Sequence, residues 1–237
     1  MEELLLYDID HPKIRIGKEN DGGYVIAQLP NTYDLFLSGG ISTDVSFEED
    51  FLTKYPKTPC FAYDGTIQEL PMTGFAIRWV AQNVGNGDSG TTNMTEQVNG
   101  YENIFMKLDI EGHEFRMMPS ITWLSKVKQF VVEIHSPADI AAFPEYYVGL
   151  QDVNSAEMFK MFHRFNETHT LIHFHANNGC GMELVEGVAL PRVFELTYVR
   201  NDHALNKRRN AKPLPTELDM PNVPTKPDYS LNGFPYQ

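Results

Sequence analysis

Two short segments place acidic and histidine side chains directly after apolar runs. Asp109 follows the first run, and Glu133 and His135 lie 24 and 26 residues further along the chain at the end of the second. Each run predicts a buried strand, and Glu133 and His135, two residues apart on a strand, face the same way. The active sites of parallel sheets form at the carboxyl ends of the strands. Because carboxylates and an imidazole suit a divalent cation, we predict that all three residues bind Mg²⁺ or Mn²⁺.

The composition is that of an ordinary globular protein with one α/β domain and a tail. The chain has 237 residues, of which 42% are hydrophobic and 22% charged. No apolar run approaches the roughly 18 residues of a membrane span, and the first residues lack the basic start of a signal peptide. Cys60 and Cys180 form neither a zinc motif nor a disulfide framework. We therefore expect a cytoplasmic protein with no membrane partner.

The net charge of −13 makes nucleic acid an unfavourable partner, because phosphate binding depends on Lys and Arg. The one basic cluster, residues 207–209 with Lys212, is interpreted as a solvated linker. The sequence does not determine the oligomeric state.

Strand-like and helix-like segments alternate along the chain, which favours a mainly parallel sheet covered on both faces. The strands are predicted at 34–37, 60–63, 75–80, 104–108, 130–134, 170–175 and 193–199, and the helices at 46–52, 115–124 and 154–166. The short connection between the last two strands predicts an antiparallel finish. Residues 201–237 are rich in proline and are predicted to be an extended tail, either disordered or laid over the surface, beyond a domain of residues 1–200.

Six segments, taken in order, resemble the FkbM-type group of S-adenosylmethionine-dependent methyltransferases. They are Asp-Gly-Gly-Tyr at 21–24, Leu-Ser-Gly-Gly-Ile-Ser at 37–42, Phe-Ala-Tyr-Asp at 61–64, Lys-Leu-Asp-Ile-Glu-Gly at 107–112, His-Phe-His-Ala-Asn-Asn at 173–178 and Phe-Glu-Leu-Thr-Tyr at 194–198. The last two resemble a methyltransferase-like branch of that group. The resemblance implies a Rossmann-like α/β fold with seven strands, mostly parallel, with an antiparallel last strand.

The same resemblance implies a site for S-adenosylmethionine at the carboxyl ends of the first strands. Glycines after the first strand let backbone approach the cofactor, a carboxylate after the second accepts hydrogen bonds from the ribose diol, and the end of the third lies near adenine. The cofactor-binding residues implied in this way are Asp21, Gly22, Ser38, Gly39, Gly40, Asp64, Asn83 and Asp109. Asp21 and Gly22 could also form only a hairpin turn.

The spacing of Asp109, Glu133 and His135 resembles that of metal-dependent O-methyltransferases of this fold. A bound metal would position a substrate hydroxyl and lower its pKa. A base must still accept the proton, and His113 is the leading candidate with His175 as its rival. Asp109 joins these two as a predicted catalytic residue.

The predicted function is a metal-assisted O-methyltransferase acting on a hydroxyl of a sugar or another small molecule. Tyr101, Phe143, Tyr146 and Tyr147 could stack on sugar faces or could be ordinary packing residues. Two alternatives stay open. One is a metal-independent methyltransferase of a small metabolite, protein or RNA cap, and the other is an inactive methyltransferase-fold binding module.

Overall fold

The computed structural model describes residues 1–88 and 90–237, which form a mixed α/β fold. The strands are β1 (Tyr7–Asp8), β2 (Lys13–Gly17), β3 (Gly23–Ala27), β4 (Leu35–Gly39), β5 (Cys60–Tyr63), β6 (Ile77–Val80), β7 (Ile104–Leu108), β8 (Val127–His135), β9 (His169–Ala176), β10 (Met182–Val185), β11 (Val188–Pro191), β12 (Val193–Arg200) and β13 (Arg208–Arg209). The α-helices are α1 (Ser46–Lys54), α2 (Glu114–Ser120), α3 (Pro137–Ala142) and α4 (Ser155–Thr168). Short 3₁₀ turns occupy Glu2–Leu4, Thr95–Val98, Leu124–Lys126 and Asn201–His203.

Seven strands form the central sheet in the order β6-β5-β4-β7-β8-β12-β9. The first five are parallel to one another, and β12 runs antiparallel to both of its neighbours, β8 and β9. The predicted mixed α/β fold is thereby confirmed, with its mostly parallel sheet and its antiparallel last strand. The order reverses between β4 and β7, so a crevice opens outside the carboxyl ends of these two strands.

The central strands are buried on both faces, which explains why their sequences are continuous apolar runs. Every residue of β4, β7 and β8 is buried. The larger core lies on the face covered by α2 and α4, and a second core, rich in aromatic residues, lies under α1 and the β2–β3 hairpin. Rigid strands with two packed faces hold the residues at their carboxyl ends in fixed positions.

The helices agree with the sequence in position but not always in length. α4 begins after Asn154, whose side chain accepts hydrogen bonds from the N–H groups of Ala156 and Glu157. The helix predicted over 115–124 is shorter, because α2 ends at Ser120, directly after Pro119. No helix in the described part of the chain is long and apolar enough to cross a bilayer.

The C-terminal strap, residues 210–237, lies along the sheet and packs into it. Leu214, Leu231 and Tyr236 are buried in the larger core. Just before the strap, β13 pairs antiparallel with β1. Arg209 in β13 lies over the ring of Tyr7 at 5.4 Å, so the interpretation of this basic cluster as a solvated linker is wrong for Arg209.

Candidate functional site

A cavity of about 430 Å³ opens at the carboxyl ends of β4, β5, β6 and β7. This volume lies within the range of small-molecule sites in proteins. The lining residues come from the turns that follow these strands and from one more distant loop: Gly40, Ser42, Tyr63, Asp64, Thr66, Asn83, Val84, Thr91, Asp109, Ile110, Glu111, His113 and Tyr146. The cavity therefore occupies the crevice that the strand order creates.

Gly40 allows two neighbouring strand ends to meet at the floor of the cavity. Its φ is +75°, in the left-handed region, and its N–H donates to the carbonyl oxygen of Tyr63 at 2.9 Å. A Cβ at this position would lie 1.7 Å from the carbonyl oxygen of Asp109. No other residue type fits there without displacing the turn after β7.

Asp64 organises the turn after β5. Its Oδ2 accepts from the N–H of Ser42 at 2.8 Å, and its Oδ1 accepts from the N–H and hydroxyl of Thr66 at 2.8 and 2.6 Å. Burial would raise the pKa of Asp64, but these hydrogen bonds outweigh it and lower that pKa. A carboxylate has about four lone-pair positions, so capacity remains for a ligand donor.

Asn83 closes the same side of the cavity. Its Oδ1 accepts from the N–H of Gly65 at 2.9 Å and so ties the turn after β6 to the turn after β5. The side-chain amide N–H groups of Asn83 have no protein acceptor among the hydrogen bonds of the described residues. They can therefore donate to a ligand.

Asp109 is held by a residue from outside the central sheet. The hydroxyl of Tyr24, on β3, donates to Asp109 Oδ2 at 3.0 Å. The ammonium of Lys107 lies 5.7 Å from the centre of the Tyr24 ring and donates to the carbonyl oxygen of Gly40 at 3.0 Å. Tyr24 and Lys107 thus fix the Asp109 and Gly40 sides of the cavity floor.

His113 lies at the N-terminus of α2 and lines the cavity. Burial and the nearby charge of Arg116 lower the pKa of His113. The ring is therefore a neutral imidazole near pH 7. One of its nitrogens is free to accept a proton there.

Glu111 and Tyr146 form the mouth of the cavity. Glu111 has a left-handed φ of +55°, which is unusual for a residue with a side chain. Its carboxylate lies 3.2 Å from Nε2 of His135, and His135, together with the neighbouring Tyr146, lowers its pKa. The Tyr146 side chain is otherwise open to solvent, with the residue 64% exposed.

The described lining residues include three carboxylates, Asp64, Asp109 and Glu111, and no Lys or Arg. With the His113 imidazole neutral, the charged side chains of the lining itself are all negative, and the Lys107 ammonium and the His135 ring lie directly behind it. Such a site favours a ligand that carries positive charge.

Glu133 and His135 are buried at the end of β8 but do not line the cavity. Nδ1 of His135 lies 2.9 Å from Asp139 Oδ2 and 2.6 Å from the Tyr147 hydroxyl. Burial alone would lower the pKa of His135, but its bonds to the surrounding carboxylates, with Asp139 first, raise it. Nδ1 of the ring is therefore occupied by Asp139 and Tyr147.

The predicted metal site is not formed. Among the described residues, no group of three or more His, Cys, Asp or Glu side chains is placed to hold a metal ion. Asp109 bonds to Tyr24, and Nδ1 of His135 bonds to Asp139, whereas its buried Nε2 lies 3.2 Å from Glu111 without forming a hydrogen bond. Burial and the nearby Asp109 raise the pKa of Glu133. The three residues therefore do not fit the metal that the sequence predicted.

Five of the residues predicted from the sequence as cofactor-binding or catalytic come together around the cavity: Gly40, Asp64, Asn83, Asp109 and His113. Five others lie elsewhere. Gly39 is buried beneath the floor, and its carbonyl oxygen accepts from the N–H of Asp109 at 3.0 Å. Ser38 faces away and donates to Glu48, which anchors α1.

The remaining three predicted residues belong to neighbouring structure. Asp21 and Gly22 form the turn of the β2–β3 hairpin and do not line the cavity. His175 is bound on β9, where Nε2 lies 3.0 Å from Asp228 Oδ2 in the C-terminal strap. It is therefore not placed to act as a base in the cavity.

Sequence reasoning missed several lining residues and one supporting contact. Ser42 and Thr66 sit beside predicted residues, so their positions could have been inferred from the strand ends. Tyr24 belongs to the segment 21–24 of the family resemblance, but its contact with Asp109 joins residues 85 positions apart and was not predicted.

No protein-family model and no curated protein matches this sequence. Among solved structures, the plantazolicin methyltransferase BpumL in complex with SAH is 9% identical, with 72% of this chain and 76% of that chain covered and a TM-score of 0.38. The pyocyanin biosynthetic protein PhzM is 10% identical, with 73% of this chain and 52% of that chain covered and a TM-score of 0.32. Similarity at TM-scores this low supports no inference about activity.

Proposed function

We propose that this protein is an S-adenosylmethionine-dependent O-methyltransferase acting on a hydroxyl group. The observation that supports this most directly is the cavity at the switch point of the sheet, where Gly40, Asp64 and Asp109 meet. The family resemblance in the sequence implied the cofactor at this place.

The residues present fit this cofactor. Gly40 leaves room at the floor that any Cβ would fill, and Asp64, which already accepts three hydrogen bonds, keeps one acceptor position for a ribose hydroxyl. The side-chain amide of Asn83 can donate a hydrogen bond to the adenine. The carboxylate of Asp109 favours a sulfonium over a neutral thioether. When bound, the cofactor supplies a methyl group that is electrophilic because its sulfur carries positive charge.

His113 is proposed as the base that accepts the proton of the acceptor hydroxyl. It lines the same cavity as Asp109, and its lowered pKa keeps a ring nitrogen unprotonated near neutral pH. A general base of this kind contributes about 10²- to 10⁴-fold to a rate. No step is assigned to a metal, because among the described residues no group of three or more His, Cys, Asp or Glu side chains is placed to hold one.

A sugar hydroxyl is the proposed acceptor. The mouth presents the Tyr146 ring, and Phe143, 58% exposed, precedes it in the same loop. Exposed rings with a nearby polar group suit a ligand that has both an apolar face and hydroxyls. The carboxylate of Glu111 at the mouth can accept hydrogen bonds from such hydroxyls.

The first test is isothermal titration with S-adenosylmethionine and S-adenosylhomocysteine on the wild type, Asp64→Ala and Asp109→Asn. Asp152→Ala, which removes an exposed surface carboxylate, is the control. We expect micromolar binding that Asp64→Ala weakens at least about tenfold, equivalent to about 1.4 kcal/mol. Asp109→Asn should weaken the charged sulfonium ligand more than the neutral thioether.

The outcomes also separate the alternatives. Absence of binding by the wild type would overturn the methyltransferase proposal. Binding without methyl transfer to any of a panel of sugars, small metabolites, proteins and capped RNA would favour the inactive binding module. With an active acceptor in hand, EDTA should leave the rate unchanged, and a loss of activity that Mn²⁺ restores would contradict the metal-free route.

A further inference from the structure

The C-terminal strap reaches the β2–β3 hairpin through one buried amide. Asn222 is 7% exposed, and its Nδ2 donates to Asp21 Oδ1 at 3.2 Å and to Glu195 Oε1 at 2.9 Å. Asp21 lies in the hairpin turn and Glu195 on the central strand β12. One side chain of the strap therefore joins the hairpin to the sheet.

The same hairpin carries the residue that orients Asp109. Tyr24 lies three positions after Asp21, and its hydroxyl donates to Asp109 Oδ2 at 3.0 Å. Its ring is buried against Phe47 in an edge-to-face contact with centroids 5.5 Å apart. Where the hairpin sits on the sheet thus determines where the Tyr24 hydroxyl meets the cavity.

Buried acceptors explain why this position needs a donor. Glu195 lies directly opposite Glu133 in the register of β12 and β8, and Asp21 approaches Asn222 from the hairpin. A buried carboxyl oxygen without a donor destabilises the fold. The amide of Asn222 gives a donor to two of these three carboxyl groups. Without this amide, the hairpin turn loses its hydrogen-bonded link to β12.

We propose that Asn222 is a positioning residue that holds the hairpin so that Tyr24 orients Asp109 in the cavity. This inference rests on the proposed function, which assigns the cavity to S-adenosylmethionine. It assigns the strap a part in the site although no strap residue lines the cavity. Asn222 does not touch the proposed ligand and acts through Asp21 and Tyr24.

The chain offers a matched control in Asn210. This second strap asparagine is 6% exposed, and its Nδ2 donates to the carbonyl oxygens of Lys212 and Tyr236, both at 2.7 Å. It anchors the strap but makes no hydrogen bond to the hairpin. Asn222→Leu and Asn210→Leu therefore remove the same group from equally buried positions in the same segment.

The experiment measures hydrogen exchange and ligand affinity in both variants. We expect Asn222→Leu to lose exchange protection over 17–24, whereas Asn210→Leu keeps it. Asn222→Leu should also weaken S-adenosylmethionine about fivefold and lower the ratio of its affinity to that of S-adenosylhomocysteine, since Asp109 is no longer held. Asn210→Leu should leave that ratio within twofold of the wild type, even if its Tm falls as far as that of Asn222→Leu.

A double-mutant cycle with Tyr24→Phe tests whether Asn222 acts on the cavity through Tyr24. If Asn222 acts through Tyr24, the double variant should bind no more weakly than the worse single variant. Effects that multiply, or equal losses in Asn222→Leu and Asn210→Leu, would overturn the proposal. If the wild type binds neither ligand, the proposed function fails, and unchanged exchange over 17–24 in Asn222→Leu would separately refute the positioning role.

Discussion

His175 and Asp228 form a buried ion pair across 53 residues of sequence, with Nε2 of the ring 3.0 Å from Oδ2 of the carboxylate. The other ring nitrogen lies 3.4 Å from Glu195. Two residues earlier on β9, His173 pairs in the same way with Asp219 at 2.7 Å. Alternate residues of one strand therefore fasten the C-terminal strap at two points.

The His175–Asp228 ion pair predicts that the strap is bound less tightly to β9 at alkaline pH. Burial would lower the pKa of His175, but the bonds to Asp228 and Glu195 raise it to about 10. Since the unfolded value is about 6.5, the stabilisation is complete below that pH and is lost as the pH rises through 10. Removing one partner of a buried pair costs roughly 3 kcal/mol. His175→Gln should therefore lower the Tm at about pH 6, and the difference from wild type should shrink towards about pH 10.5.

Thermal unfolding against pH measures this effect. His163→Gln, at an exposed position on α4, is the control and should follow the wild type throughout. A Tm difference for His175→Gln that stays constant from neutral to alkaline pH would contradict the ion-pair explanation.

Gly40→Ala should destroy the cavity floor. Both the left-handed φ and the 1.7 Å approach to the Asp109 carbonyl oxygen forbid a methyl group there. We expect a loss of roughly 2–4 kcal/mol in stability and no detectable binding of S-adenosylhomocysteine. Gly74→Ala is the control, because a Cβ at Gly74 meets nothing within 4 Å. Retention of wild-type binding by Gly40→Ala would mean that the cofactor site lies elsewhere.

His113 should set the acidic limb of the pH profile for methyl transfer. Its pKa is lowered by burial and by Arg116, so the basic form is populated below the usual histidine value of about 6.5. The rate should rise with pH and level off before neutrality. His113→Gln should lower kcat by about 10² or more and remove this limb, without changing the affinity for S-adenosylhomocysteine. A variant with an unchanged profile would exclude His113 as the base.

Glu114 should make the protein less stable as the pH rises. Its Oε1 accepts from the N–H of Ile110 at 2.9 Å, and burial raises the pKa of this carboxyl to about 7. The unfolded value is about 4.3, so the protonated form stabilises the fold fully below that pH and this contribution is lost as the pH rises through 7. Glu114→Gln keeps the acceptor and removes the charge.

At about pH 8, Glu114→Gln should therefore exceed the wild type in stability by roughly 3–4 kcal/mol, or several degrees in Tm. At about pH 4 the two proteins should differ little. Glu69→Gln, an exposed substitution, controls for the change in net charge. A lower Tm for Glu114→Gln at pH 8 would show that the charged carboxylate is the stabilising form.

Sequence patterns predicted the parts of the site that depend on strand ends. Gly40, Asp64 and Asp109 each follow an apolar run, and parallel strands bring such positions to one edge. The same reasoning failed for the metal site, because Asp139 and Tyr147 bond to the His135 ring. Nothing in the spacing of Asp109, Glu133 and His135 reveals those competing partners.

Long-range contacts were beyond prediction for a related reason. The contact of Tyr24 with Asp109 and that of Asn222 with Asp21 join segments 85 and 201 residues apart. Local periodicity identifies which residues are buried but not which distant segment covers them. The strap was accordingly predicted only as a proline-rich tail, and its buried anchors became visible in the packed structure.

The pairing of β1 with β13 has a consequence for biosynthesis. Tyr7 lies opposite Arg209, so an early strand has no partner until some 200 further residues have been translated. At about 5–20 residues per second, the ribosome needs about 10–40 s for this stretch. Meanwhile the nascent chain leaves Leu4 and Leu6, which end in the core beside the strap, uncovered. Final closure of this part of the fold therefore waits for β13 and the strap, and the apolar side chains of Leu4 and Leu6 stay exposed on the growing polypeptide during that interval.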